Sequence, residues 1–465
     1  MGTCGNTLSG RPGMQICTGI LCVAVYVAAL ILMPGAPAVM TTGVTVTIGC
    51  IAVALYRRSG SYTASGQIVL TVAMTLMAVG IVANVHYFTV ACGHTDANPL
   101  LLNPDAARNW RDAMYFMGVS DADISGTHTL YGWILAAVMK PFGPSITIAL
   151  SVGYACGTAT LLLTAAMAKR LTSDARVATA AMIATACVCY LMASATVLVK
   201  DIWVVAATAV AGYGLCQWRR TSVVFVTMAC VMLALARNNF IFAVAGGVII
   251  TALGVPRAEM RRQLLWRVLA LVLATGIWTL MSQTEFTPDA AAQIAGASDF
   301  EEYRAPNQEA FYRIVGDGLN ESWTRKLLMT PVLVITQFLI PLPWNFLRDT
   351  VFGPTQAYAH FAYPWYFFGA VLLFYLFGRT RRMCQRGMFV FTLWGVFVWL
   401  IPCFTAMGTV SRYALPAVPL MAPAVGATAL ICYRKRRFLT WLAAFAIILV
   451  VTLLTVYNLQ TAAAQ

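Results

Sequence analysis

Long apolar runs separated by short polar breaks dominate the chain. Crossing a bilayer as a helix takes about 20 predominantly apolar residues. Runs of that kind fall at about 14–33, 39–55, 67–91, 145–168, 177–198, 202–217, 222–236, 238–254, 264–281, 359–378, 388–404, 412–432 and 438–457. Two further apolar pieces, Leu130 to Phe142 and Pro331 to Phe346, are shorter or broken by proline and read as re-entrant or interfacial elements. Between the third and fourth runs lies a polar island, Asn103 to Gly118. Asn103 is a good N-cap and Pro104 suits the first helical position, so this stretch predicts a helix. Asp105, Arg108, Asn109 and Asp112 then share one face, and Ala106, Trp110, Ala113, Met114 and Met117 the other. Such a helix is expected to lie on a membrane surface, apolar side down, with its carboxylates at the interface. A capped surface helix in a loop is the plainer alternative.

Composition excludes a soluble globular class. The chain is 60% hydrophobic and 10% charged, against about 25% charged for a soluble domain. The expected fold is an all-α polytopic membrane protein with about 11–13 transmembrane helices and helical extracytoplasmic loops. Residues 1–66 form an N-terminal pair of transmembrane helices, 67–457 the main transmembrane domain with long loops at 92–129 and 282–357, and 458–465 a tail. Most of the cysteines fall inside apolar runs, as small hydrophobes do, and no C-x-x-C pair occurs.

The net charge of +14 raises the question of nucleic acid. The placement of the charges answers it. With the N-terminus in the cytoplasm, one side of the membrane carries Arg57, Arg58, Lys169, Arg170, Arg176, Arg219, Arg220, Arg257, Arg261, Arg262, Arg267 and the basic clusters near 381 and 435. The acids there are only Asp174 and Glu259. This is the positive-inside pattern, and the partner it implies is anionic lipid rather than nucleic acid. Nearly every other acid, and both long loops, then face outward. A transporter usually keeps its polar groups within spans near the midplane. Their position here argues for chemistry at the outer leaflet, and the short loops point to a bacterial inner membrane.

Asp105 is the candidate general base, since a carboxylate in the first turn of a helix is favoured in its ionised form. Simple capping of that turn is the plain alternative. Asp112, two turns on, either assists or pairs with Arg108 at i, i+4. Asp121 and Asp123 lie in a Gly/Ser-rich turn and can hold a divalent cation, Mg²⁺ or Mn²⁺, or belong to a solvated loop. No other cofactor is indicated. His128 stands near Tyr131 and Trp133 in an aromatic patch of the interface. Lys200 and Asp201 interrupt two spans at the outer face, Arg237 and Asn238 lie in another outer turn, and Arg412 and Tyr413 open a late span. Lys200, Arg237 and Arg412 at one depth can clamp a lipid phosphate, or each can simply snorkel to headgroups. Walker A, H-E-x-x-H and G-x-S-x-G patterns do not occur, which argues against an ATP-driven pump, a zinc protease and an α/β-hydrolase.

The order of these motifs resembles the GT-C superfamily of membrane glycosyltransferases, which holds protein mannosyltransferases and bacterial aminoarabinose transferases. Asp105, Trp110, Ala113 and Gly118 match its early outer-loop motif. The stretch from Thr127 to Phe142-Gly143 matches its histidine, short helix and F-G pattern, although the prolines expected after His128 are absent. Lys169-Arg170 matches its basic cytoplasmic pair, Lys200-Asp201 its outer acidic turn, and Arg237 its basic turn. Arg412, Tyr413, Pro416 and Pro419 match its late R-Y-x-x-P-x-x-P.

The resemblance implies inverting transfer of a sugar from a polyprenyl-phosphate donor to a lipid, glycan or protein acceptor on the extracytoplasmic side. Asp105, with Asp112 beside it, would be catalytic. Lys200, Arg237 and Arg412 would hold the donor phosphate, and His128, Tyr131, Asp201, Asn238 and Tyr413 would contact substrate. The family's clean double acid is missing, so a metal requirement is not implied. The alternatives are an O-antigen-type polymerase or ligase of lipid-linked glycans, which would rely on Arg and His, and a transporter or flippase, which performs no chemistry.

Overall fold

A computed structural model describes residues 36–86, 104–119, 130–216, 218–237, 240–255, 257–282, 386–404 and 411–434, with isolated helical positions at 23, 27, 31 and within 368–376. Among the described residues every regular element is a helix. In chain order these are α1 (Ala36–Arg58), α2 (Ala64–His86), α3 (Pro104–Phe116), α4 (Tyr131–Met139), α5 (Ile146–Thr172), α6 (Ala175–Ala186), α7 (Cys189–Ser194), α8 (Asp201–Leu215), α9 (Arg220–Ala234), α10 (Ile241–Ala252), α11 (Arg257–Ser282), α12 (Arg386–Phe404), a 3-10 helix (Ser411–Ala417) and α13 (Val418–Arg434). Among the described residues, five stretches are long and apolar enough to cross a membrane: Met40–Arg58, Ala64–His86, Ile146–Thr172, Glu259–Met281 and Ala414–Arg434. The architecture is that of an α-helical membrane protein. The spans expected at 14–33, 359–378 and 438–457, the 331–346 piece and the loop 282–357 lie almost wholly outside the described residues.

The apolar stretches sort into a centre and a perimeter. In α5 and in the stretch leading through α13, 78% and 83% of the residues are buried inside the protein. In α1 and α11 the shares are 28% and 17%. The perimeter helices turn Ile51, Leu55, Leu264, Leu265, Val272 and Leu280 outward. Large apolar side chains exposed in rows suit a hydrocarbon solvent. At the centre, small residues let helices approach. Gly426 of α13 meets the backbone of α6 so closely that a Cβ would lie 2.5 Å from the nitrogen of Ala181.

The bundle has two chemically distinct ends. At one, Arg57 donates to Gln67 (3.0 Å), Thr63 bonds Thr179 (2.6 Å) and Asp174 caps α6 by accepting from the nitrogen of Arg176 (2.8 Å). Asp174 also pairs with Arg434 at 3.9 Å. The Arg170 guanidinium lies 3.6 Å from the Tyr213 ring centroid and donates to that residue's carbonyl and hydroxyl. At the other end Thr41 bonds Thr147 (3.2 Å), and α3, α4 and the 3-10 helix gather. Arg267 departs from the expected band of lipid-facing cations. It is 4% exposed, donates to the carbonyl of Val248 (2.6 Å), to Thr251 and to Gln263, and lies under Trp218 at 4.3 Å.

Two elements differ from the sequence expectation. The run at 177–198 is not one helix. It stops at Ala186, restarts as α7, and passes from Ala195 to Lys200 in turns. No proline or glycine marks the break. Thr185, Ser194 and Thr196 turn their hydroxyls back to the carbonyls of Ala181, Tyr190 and Ala193, contacts that bend helices. The second difference is α3, which has the expected N-terminus and apolar face but does not float on an interface. Ala106, Trp110 and Ala113 sit in the protein core at 1% exposure or less, and Asn109 and Asp112 are buried as well. Its polar side faces protein.

Replacing Gly426 by valine is expected to force α6 and α13 apart and to cost about 1–3 kcal/mol through overpacking. The thermal unfolding midpoint in detergent should fall by several degrees; an unchanged midpoint would contradict so close a helix contact.

Candidate functional site

The broken helix builds the site. The turns at 195–200 leave the carbonyls of Thr196 and Leu198 to be bonded from outside the segment, and in an apolar interior such groups need partners. Two asparagines provide them. Asn84 of α2 donates its amide to the carbonyl of Thr196 (3.0 Å) and to its hydroxyl (3.1 Å). Asn109 of α3 donates to the carbonyl of Leu198 (2.7 Å). The second bond ties the helix that carries Asp105 to the turn that ends in Lys200. Asp105 lies one helical turn before Asn109, and Lys200 two residues after Leu198.

On the far side of Lys200 the chain enters α8 with Asp201 in its first turn, where the helix dipole favours an anion. Asp201 pairs with Arg237 at 3.0 Å. Trp203, one turn along, donates its indole N–H to the carbonyl of Met232 (2.7 Å). These two contacts fasten the start of α8 to the end of α9. Tyr131, at the start of α4, packs edge-on against Trp203 with ring centroids 6.3 Å apart. Gly132 brings α4 so close to α3 that a Cβ would lie 2.4 Å from that of Asp112.

Five charged side chains therefore meet at the end of the bundle opposite Arg57 and Arg434: Asp105 and Arg108 from α3, Lys200 and Asp201 from the turn and α8, and Arg237 from the turn after α9. The half-buried Lys200 feels all four of the others. Its amine is pushed down to about 7, foremost by burial and then by Arg237; Asp201 and Asp105 oppose this and Arg108 adds to it. Burial also pushes the Tyr131 phenol up, reinforced by Cys156 and Asp201, so this hydroxyl lies next to the cluster as a neutral group.

The residues selected from sequence thus divide. Asp105, Lys200, Asp201 and Arg237 come together. Asp112 is 4% exposed and faces α4 rather than the cluster's open side. Tyr131 is wholly enclosed beneath Asp201. The 3-10 helix carrying Arg412 and Tyr413 packs against α8, but the two side chains lie outside the described residues, as do His128, Asn238, Asp121 and Asp123. Among the described residues no three acidic, histidine or cysteine side chains gather to hold a metal. Sequence reasoning missed two members. Arg108 had been paired only with Asp112, and Asn109 had been placed on the polar face without a role. An amide in mid-helix beside two charged neighbours was the available signal for Asn109. Its partner, 89 residues away, was not readable. The chain matches no family model and no curated protein.

Asn109→Ala leaves the buried Leu198 carbonyl without its side-chain donor, and a loss of about 1–3 kcal/mol is expected. Thermal unfolding of the variant beside wild type measures it; identical midpoints would mean that the bond does not hold α3 to the turn.

Proposed function

We propose that the chain is an integral membrane glycosyltransferase of GT-C type, transferring a sugar from a polyprenyl-phosphate donor to a lipid, glycan or protein acceptor on the extracytoplasmic side. The observation that carries this reading is the convergence of Asp105 with Arg108, Lys200 and Arg237 at the end of the bundle away from the arginine-rich termini. Glycosyl transfer by single displacement makes two demands. A base must take the acceptor's proton, and cations must stabilise the charge that grows on the departing phosphate. Asp105 suits the first: it is half-buried, in the first turn of α3. Lys200 and Arg237 meet the second. Arg237 is held by Asp201, and that ion pair fixes where its guanidinium stands.

Sidedness supports the choice of donor. The arginine-rich end is the cytoplasmic one by the positive-inside rule, with the N-terminus there and the membrane a bacterial inner membrane. Nucleotide sugars are cytosolic, so a site at the opposite end calls for a lipid-linked sugar. An O-antigen-type polymerase or ligase is the second reading, favoured by the three cations, which suit a lipid pyrophosphate equally well. Such an enzyme would not depend on Asp105.

Asp105→Asn separates the two readings. It is expected to lower kcat by about 10²–10⁴-fold, the range typical of a lost general base, with thermal stability and donor binding kept. Turnover at the wild-type rate in a transfer assay with a prenyl-phosphate sugar would eliminate Asp105 as the base. Arg237→Ala is expected to act mainly on donor affinity and to weaken it at least tenfold, because it also leaves Asp201 buried without its ion-pair partner. Measured KM for the donor checks this, and an unaltered value would take Arg237 out of the phosphate site.

A further inference from the structure

Glycosyl transfer from a phosphodiester releases a proton as well as a sugar, and something at the site must hold it. The acceptor oxygen forms a bond to the anomeric carbon. The bond from that carbon to the donor phosphate breaks, and its electrons leave with the phosphate. The phosphate changes from a singly charged diester to a doubly charged monoester. The acceptor's hydroxyl proton is left over, and Asp105 can take it only for the moment of transfer, because it must be ionised again for the next turnover.

We propose that Lys200 is the group on which this proton comes to rest, moving from the acceptor through Asp105 to the Lys200 amine beside the newly doubly charged phosphate. This inference rests on the glycosyltransferase reading and adds to it a proton-coupled way of capturing the leaving group. Three observations carry it. Lys200 lies within the electrostatic reach of Asp105 and Arg108 on α3, of Asp201 beside it in the chain, and of Arg237, which pairs with Asp201 at 3.0 Å. The Asn109 bond to the Leu198 carbonyl holds the Asp105 helix and the Lys200 turn together, so neither can drift. The charges around Lys200 also balance: the guanidiniums of Arg108 and Arg237 offset the carboxylates of Asp105 and Asp201. With a neutral amine the cluster has no net charge, and the second charge that transfer places on the phosphate supplies the reason to protonate it.

The direction of the effect follows. The Lys200 amine is pushed down to about 7, so below that pH it is already an ammonium and above it largely a free amine. An anion binding beside it favours the ammonium. Binding therefore draws in little proton at pH 6 and close to one at pH 8. Affinity for a doubly charged phosphate weakens above pH 7, by at most about tenfold per pH unit for a single linked proton. When product leaves, the ammonium returns its proton to water.

The test uses the full chain in detergent, with farnesyl phosphate as the probe and binding heats measured in buffers of different ionisation enthalpy. A phosphate monoester loses its second proton near pH 6, so at pH 8 the probe itself is already doubly charged. Uptake approaching one proton per molecule bound is expected at pH 8, with little at pH 6. Lys200→Arg should still bind the probe, because the charge is permanent, but take up no proton at pH 8. In a transfer assay at pH 8, Lys200→Arg should lower kcat while leaving donor KM near wild type, a split that a purely structural lysine would not give. Failure of the probe to bind, absence of uptake in wild type, uptake that persists in Lys200→Arg, or an unchanged kcat in that variant would each overturn the proposal. The underlying glycosyltransferase reading fails separately, on wild-type turnover by Asp105→Asn, a result that proton uptake on binding farnesyl phosphate does not affect.

Discussion

A carbonyl group exposed by a broken helix has to find a donor, and in an apolar surrounding water is scarce. That constraint organises the end of the bundle that carries the candidate site. The turns at 195–200 release backbone groups that a continuous helix would have satisfied internally. Asn84 and Asn109 reach in from α2 and α3 to bond them. The cost of breaking the helix is thereby offset by bonds that join three separate stretches of chain. What results is a rigid turn delivering Lys200 and Asp201 to one point, with α3 fastened alongside. Had the run at 177–198 been a regular helix, Asn109 would have had no carbonyl to hold.

The two ends of the bundle treat buried cations in opposite ways, and the contrast separates structure from function. Arg267 is enclosed by a carbonyl, a threonine, a glutamine and the face of Trp218. Its donors are taken up by neutral acceptors in fixed positions. Such a cation locks α10 and α11 together through Val248, Thr251 and Gln263 and offers little to a ligand. At the other end Lys200 stands among two guanidiniums and two carboxylates. Burial, foremost, pushes its amine down, and the surrounding charges of both signs partly offset one another, so a single added anion can decide the balance. Sites that do chemistry are often built this way, with charges placed so that small changes move a proton.

How far the sequence foretold this depends on the range of the interaction concerned. The helix boundaries were legible because period and capping are local: Pro104 begins α3, and the runs at 39–55, 67–91 and 145–168 correspond to α1, α2 and α5. The division of charge between the two ends was legible for the same reason, since it follows from the length of each run. The break after Ala186 was not, because Thr, Ser and Cys mark no stop and the hydroxyl-to-carbonyl bonds that bend the chain are also found in straight helices. The burial of α3 was hidden too. An amphipathic pattern shows that one face is apolar, but lipid and protein interior both accept such a face, and the polar face can meet protein as readily as water. Asp105, Lys200, Asp201 and Arg237 were identifiable as polar groups stranded at one depth. That Asn109 joins two of them through a carbonyl 89 residues away is a tertiary fact.

The two carboxylates of α3 show how one helix can give like side chains different work. Asp105 sits in the first turn, where the backbone N–H groups favour an anion, and remains half-buried within the field of Lys200. Asp112 lies two turns deeper, 4% exposed, with Gly132 of α4 pressed so close that there is no room even for a methyl group between the helices. A base must be ionised and must be reached by its substrate. Asp105 is half-buried in the first turn, whereas the closeness of α4 encloses Asp112. The same contact gives Asp112 a different part: it belongs to the α3–α4 seam, and α4 in turn packs Tyr131 edge-on against Trp203 of α8. One end of the helix thus carries a half-buried carboxylate within the field of Lys200, while the other is packed against α4.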